Sequence, residues 1–130
     1  SHMMMGLGAM TNAAETARIQ GVDLYGEQAQ RIVAGYELNA GYVNDYLDEV
    51  NRLGGSQPAS TWRPANWVGG NFNLGGTAYK SGWEIAYHHY AQRLGITMPE
   101  TQRLVTRLRT NATQAALHLS WETLTHATWA

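Results

Sequence analysis

Between Gly82 and Arg93 the chain reads GWEIAYHHYAQR, which gathers two histidines, a glutamate, an arginine and three aromatic rings into about three helical turns. On a helix, Trp83, Tyr87, Tyr90 and Leu94 recur at i, i+4, i+7 and i+11 and share one face. Glu84 and His88 lie four apart on an adjacent face, and His89 and Arg93 four apart on another. Tyrosine and histidine can serve as base and acid without a metal, and Arg or Asn can neutralise a carboxylate. Those types suit β-elimination from a uronic acid. A donor neutralises the C6 carboxylate, a base takes the C5 proton, and an acid protonates the leaving oxygen. The same residues could equally stack sugar rings along a groove, or form an amphipathic core helix with phenol and imidazole tips turned outward.

Other chemistries fit less well. A metal site needs three or four ligands; Glu84 and His88 could supply two, and the chain has no HExxH or HxH. No metal or cofactor is expected. There is no GxSxG elbow for a serine hydrolase. A glycosidase needs two carboxylates flanking the bond, and Glu15, Glu37, Glu84 and Glu122 are the candidates.

The elements that must position these groups read as helices. Met4 to Gln20 carries Leu7, Met10, Ala14 and Ala17 on one stripe and stops at Gly21. Gly6 and Gly8 weaken its first turns and suggest either a fray or a close helix contact there. After a connector from Val22 to Gly26, the longest helix runs from Glu27 to Leu53, with Ala29, Ile32, Tyr36, Ala40, Val43, Leu47 and Val50 inward and Gly54-Gly55 as the stop. Tyr42 and Tyr46 fall off that stripe and predict a second buried face; Tyr36 and Glu37 read as core and surface rather than site. Residues 56–80 form a long Gly- and Pro-bearing loop with Trp62, Trp67, Phe72 and Tyr79 in it, a length that is usually functional when ordered. Its GGNFNLGG lacks the ending of a phosphate loop. Ser81 is the expected cap of the Gly82–Arg93 helix, and Gly95 its stop. Thr97 and Glu100 form a capping-box pattern for the next helix, with Leu104, Val105 and Leu108 inward and Arg103, Arg107 and Arg109 as a solvated face or otherwise an anion patch. Thr110 to Ala130 reads as helical in part. No stretch reads as a strand, so the expected class is all-α.

The whole chain sets wider bounds. Its 130 residues suit a single domain with its own core, and Ser1-His2-Met3 looks like the scar of a cleaved tag, leaving 4–130 as the domain. A net charge of −1 argues against nucleic acid as partner. The absence of cysteine excludes disulfides and thiolate metal sites. No apolar run approaches the roughly 18 residues of a membrane span, so no membrane partner is expected. Five Trp and seven Tyr stand against a single Phe. Rings with a polar handle are favoured where one side is packed and the other wet, as at a carbohydrate site or a protein interface.

Three stretches resemble the alginate-lyase-like family of bacterial helical polysaccharide lyases. MGLGAMTNAAETARIQGVDLYG (Met5–Gly26) looks like the family segment that follows its Arg-Asp-x-Gly-His stretch. GWEIAYHHYAQRLGITMPET (Gly82–Thr101) resembles its late Trp-Glu-x-x-Tyr-x-His-Tyr helix, in which the position of His88 is commonly Asn. LSWETLTHA (Leu119–Ala127) resembles its closing segment. The resemblance implies antiparallel helix hairpins forming part of an α/α-toroid, and a uronic-acid polysaccharide as partner, bound and cleaved by β-elimination in a secreted or periplasmic setting. Family members are several-fold longer; their upstream Asn-Trp-bearing segment and their Arg-Asp-x-Gly-His segment have no counterpart here. The positions that match and could act on sugar are His88 or His89 with Tyr90 for proton transfer, Arg93 for the carboxylate and Glu84. Trp62, Arg63, Asn66, Trp67, Trp83 and Tyr25 are the expected substrate contacts. Hairpins cut from a toroid would expose apolar faces, which predicts a homo-oligomer, most simply a two-fold dimer. Two alternatives stand beside cleavage: a non-catalytic carbohydrate-binding or self-associating module, and a small glycoside hydrolase with Glu84 as acid.

Overall fold

The computed structural model describes residues 2–56, 58 and 82–110. The regular elements among them are all helical: α1 (His2–Ile19), α2 (Leu24–Glu27), α3 (Ala29–Arg52), α4 (Trp83–Ala86), a π-helical segment (Tyr87–Arg93) that continues α4, and α5 (Pro99–Thr110). The all-α expectation holds for these residues. Most of the aromatic loop, the cap expected at Ser81 and residues 111–130 lie outside the described residues, and with them Trp62, Arg63, Asn66 and Trp67.

The core is built along α3. Ile32, Tyr36, Ala40 and Val43 are buried on the predicted stripe, and they meet Met4 and Ala14 of α1, Trp83, Ile85 and Ala86 of α4, and Leu104 and Val105 of α5. Of the two tyrosines that predicted a second face on α3, Tyr46 is buried and Tyr42 half-buried, and Asn39 and Asn44 are buried as well. Asn44 faces α5, donating to the Glu100 carbonyl at 3.0 Å and to its carboxylate at 2.8 Å.

The predicted stripe of α1 is displaced. Met4, Gly8, Thr11, Ala14 and Glu15 turn inward, while Met10 is 46% exposed. Apolar spacing missed this because two inward residues are polar and satisfied inside. Thr11 Oγ1 donates to the Leu7 carbonyl at 2.8 Å and pairs with Tyr36 Oη at 2.7 Å. Of the two early glycines, Gly8 makes a close approach and Gly6 has open space: a Cβ on Gly82 would stand 3.2 Å from Gly8 Cα, so α1 and the start of α4 meet backbone to backbone.

The helices stop where glycine was expected. At Gly21, N–H groups of Gly21 and Val22 close back on Arg18 and Ala17 carbonyls at 3.0 and 2.9 Å, a Schellman ending. The connector after it is more ordered than predicted, because the Asp23 carboxylate accepts from the Gly26 N–H at 2.8 Å and caps the single turn of α2.

Two expectations about α5 are corrected. The Thr97–Glu100 capping box is not what holds its N-terminus. Glu37 of α3 accepts from the N–H groups of Glu100 and Thr101 at 3.0 and 2.8 Å, while the Glu100 carboxylate is turned to Asn44. The arginines are a solvated face only in part: Arg103 is exposed, but it and Arg107 converge on Asp48 of α3, and the half-buried Arg109 reaches Glu84 of α4. Among the described residues no helix is long and apolar enough to cross a membrane.

Candidate functional site

The Gly82–Arg93 stretch starts as an α-helix and widens. Leu94 N–H reaches the His89 carbonyl, five residues back, at 3.2 Å, and Ile96 N–H reaches that of Tyr90 at 2.9 Å. Wider winding turns less per residue, so the last positions lag behind an α-helical wheel. Trp83 and Tyr90 of the shared face are buried, but Leu94 at i+11 has rotated out and is 55% exposed. π-helical turns are rare and frequently sit at functional sites.

Here the widened segment carries His89 and Tyr90 onto Tyr25 of α2. The His89 ring lies flat on that of Tyr25, centroids 3.7 Å apart and planes 12° from parallel. Tyr90 stands edge-on to both, at 5.4 Å from Tyr25 and 5.1 Å from His89. The Tyr90 hydroxyl donates to the Tyr25 carbonyl at 2.9 Å, and the Tyr25 hydroxyl donates to Glu15 Oε2 of α1 at 3.0 Å. Glu15 also takes Arg18 Nη2 at 2.7 Å, and Arg93 Nη1 stands 3.8 Å from it. Four of the predicted residues, His89, Tyr90, Arg93 and Tyr25, are thus one cluster.

The other predicted residues are placed apart from it. His88 turns outward and pairs its Nδ1 with Gln92 Oε1 at 2.8 Å. Glu84 is buried and held through both oxygens by Arg109, at 2.6 and 2.8 Å. Trp83 is only 3% exposed and meets Tyr36 edge-on at 5.3 Å. Like Tyr25, which is fully buried, it offers no ring face to a sugar, so both expected substrate contacts are interior. The indole N–H of Trp83 has no hydrogen-bond partner among the described residues.

Electrostatics separates the cluster into a closed and an open part. Burial, with the Glu15 charge after it, pushes the Tyr25 phenol well above its usual value. Burial, and then Asp23, pushes Tyr90 up to about 12. Neither phenol is poised to ionise, and both protons are already donated within the fold. Burial also opposes the charge of Glu15, yet the hydrogen bonds from Arg18 and Tyr25 and the charges of Arg18 and Arg93 win and hold its carboxyl at about 2. His89 is lowered, first by burial and then by Arg93, against a weaker pull from Glu15 and Asp23. Its Nδ1 is buried with no partner among the described residues. The open part is the edge: Arg18 and Arg93 keep 38% and 35% of their side chains exposed while sharing one carboxylate.

Glu15 and Arg18 were not foreseen in this role. Their i, i+3 spacing on α1 was a local signal of pairing, but nothing local links them to Arg93. No three His, Asp or Glu side chains converge to hold a metal among the described residues. No protein-family model, curated protein or solved structure matches the chain, so the site has to be interpreted from its own geometry.

Proposed function

We propose that the chain is a helical module that binds an acidic, uronic-acid-bearing polysaccharide along the edge carrying Arg18 and Arg93, without cleaving it. The observation that carries this is the convergence of two half-exposed guanidinium groups on the single Glu15 carboxylate. One positive charge is left in surplus over that carboxylate, and the planar guanidinium fork suits a second one. The resemblance of the Gly82–Thr101 stretch to the lyase family points to the same ligand class. Against cleavage stand the commitments of the phenols and of Glu84: Tyr90 donates to a backbone carbonyl, Tyr25 to Glu15, and Glu84 is clamped by Arg109.

A second reading, β-elimination with His89 as base, is favoured by one feature, an imidazole held neutral beside Arg93. The further parts of the proposal are that these helices are hairpins of a partial α/α-toroid and that two copies associate. Apolar surface left on α1 by Met10 and on α3 by Leu38 supports association.

Alginate, glucuronan, pectate and neutral glucans, tested by calorimetry and near-ultraviolet absorbance after light scattering, separate these readings. The expected result is a dimer that binds at least one uronate polymer and no neutral glucan, with no absorbance change. Arg93→Ala should weaken binding about tenfold, the ~1.4 kcal/mol of one charge-assisted hydrogen bond. Binding to no uronate polymer would end the proposal. Absorbance that rises and is lost in His89→Ala would replace it with the second reading, and a monomer would remove the association.

A further inference from the structure

We infer that His89 is a proton switch: neutral, its ring lies on Tyr25 and ties the π-helical segment to α2, and once protonated it leaves that face and adds its charge to the Arg18–Arg93 edge. The effect on a polyanion rests on the binding proposal above; the movement of the ring does not.

The geometry favours the neutral form for reasons visible at each contact. His89 is 8% exposed, and its Nδ1 is buried with no hydrogen-bond partner among the described residues. A neutral imidazole can leave that nitrogen without a proton, whereas an imidazolium carries a proton on both and needs an acceptor for each. None is aligned there among the described residues. Among the described residues, the groups facing the ring are Glu15 and Arg18 on α1, Asp23 ahead of α2, Tyr25 on α2, and Tyr90 and Arg93 on its own segment. The carboxylate with the larger pull, Glu15, already accepts from Arg18 and Tyr25. Arg93 and Arg18 repel a third cation, and the pull of Asp23 does not offset burial and Arg93.

The released imidazolium has a short way to go. His89 and Arg93 lie on the same side of the segment, and Arg93 is already part of the half-exposed edge. A third positive charge at that edge strengthens its attraction for a polyanion, because opposite charges at close range stabilise one another. By linkage, a polyanion that gains from the protonated form also raises the affinity of His89 for its proton. The sign follows from the lowered pKa. The stacked state is fully favoured above the ordinary histidine value of 6.5 and is lost as the pH falls through the lower folded value.

The test uses the full chain between about pH 8 and about pH 5, the range in which histidine changes charge. The His89 ring protons are followed by NMR, tyrosine near-ultraviolet circular dichroism reports the stack, and alginate binding is followed in parallel. The expected result is a His89 midpoint below that of a free histidine, with a tyrosine change at the same midpoint. In His89→Phe, whose flat ring keeps the stack and cannot titrate, the tyrosine change disappears. Alginate affinity rises several-fold toward acid in the wild type and stays flat in His89→Phe; His89→Gln serves if the phenylalanine variant does not fold. A tyrosine signal that ignores the His89 titration, or that persists in His89→Phe, overturns the switch. Equal pH dependence of binding in both proteins overturns its role at the edge while leaving the binding proposal standing. A tyrosine change that tracks His89 with no alginate bound at any pH supports the switch and removes the ligand.

Discussion

Gly82 is a residue that only this packing explains. It precedes α4 at φ +92°, a conformation that costs a residue with a side chain about 1–3 kcal/mol. A Cβ there would also run into the Tyr36 hydroxyl and crowd Gly8 Cα. The hydroxyl cannot readily move aside, because it is fixed against Thr11 Oγ1 at 2.7 Å. Gly82→Ala should therefore destabilise the chain by about 3 kcal/mol, backbone strain and overpacking together, read as a lower urea midpoint. Tyr36→Phe alone removes a buried hydrogen bond and should cost about 1 kcal/mol. In the double variant the obstructing oxygen is gone, so the combined loss should fall short of the sum by about 1 kcal/mol. Strict additivity would show that the backbone alone demands glycine. In the sequence, GWE carries no sign of this, because both the hydroxyl and the Gly8 backbone arrive from other helices.

At the scale of elements, what was legible depended on whether a helix is held by apolar spacing or by polar partners. The α3 stripe from Ile32 to Val43 could be read directly, since a long run of inward apolar side chains at 3–4 spacing leaves one solution. The α1 stripe could not, because Thr11 and Glu15 turn inward on partners far along the chain. Tyr87–Arg93 fits an α-helix as well as a π-helix, so the widening that moves Leu94 outward was hidden. At the candidate site the residue types of His89, Tyr90, Arg93 and Tyr25 were legible, but the contacts to Glu15 and Arg18 were not. The start of α5 shows the same division. Thr97 and Glu100 match a capping box, yet the Glu37 carboxylate accepts two N–H groups of the first turn at 3.0 and 2.8 Å and places a negative charge at the positive end of the helix. Glu37→Ala should cost about 1–2 kcal/mol in urea unfolding, and Thr97→Ala no more than about 0.5 kcal/mol. The reverse order would return the cap to Thr97.

For the molecule as a whole, carboxylates act as clamps between helices. Glu15 joins α1 to α2 and, through Arg93, to the π-helical segment; Asp48 joins α3 to α5, and Glu84 joins α4 to α5. Such a scaffold should fail on the acid side, and the signs of the shifts agree. Asp48 is held below the usual carboxylate range, because Arg107 and Arg103 outweigh its burial. Glu15 is held at about 2 against an ordinary 4.5, so its contribution is complete above 4.5 and is lost as the pH falls toward 2. His89, also lowered, contributes above 6.5 and loses that contribution on acidification. Stability therefore declines gently as the pH drops below the histidine range and steeply below 4.5, because the unfolded chain takes up more protons throughout. Glu15→Gln separates the two stages. The variant should be weaker at neutral pH, where its paired charge is missing, and should show a shallower decline between pH 4.5 and 2. Urea midpoints taken across that range decide it. An unchanged slope in Glu15→Gln would place the acid sensitivity elsewhere, in Asp48, and would mean that Arg18, Arg93 and Tyr25 do not hold that carboxylate in its charged form.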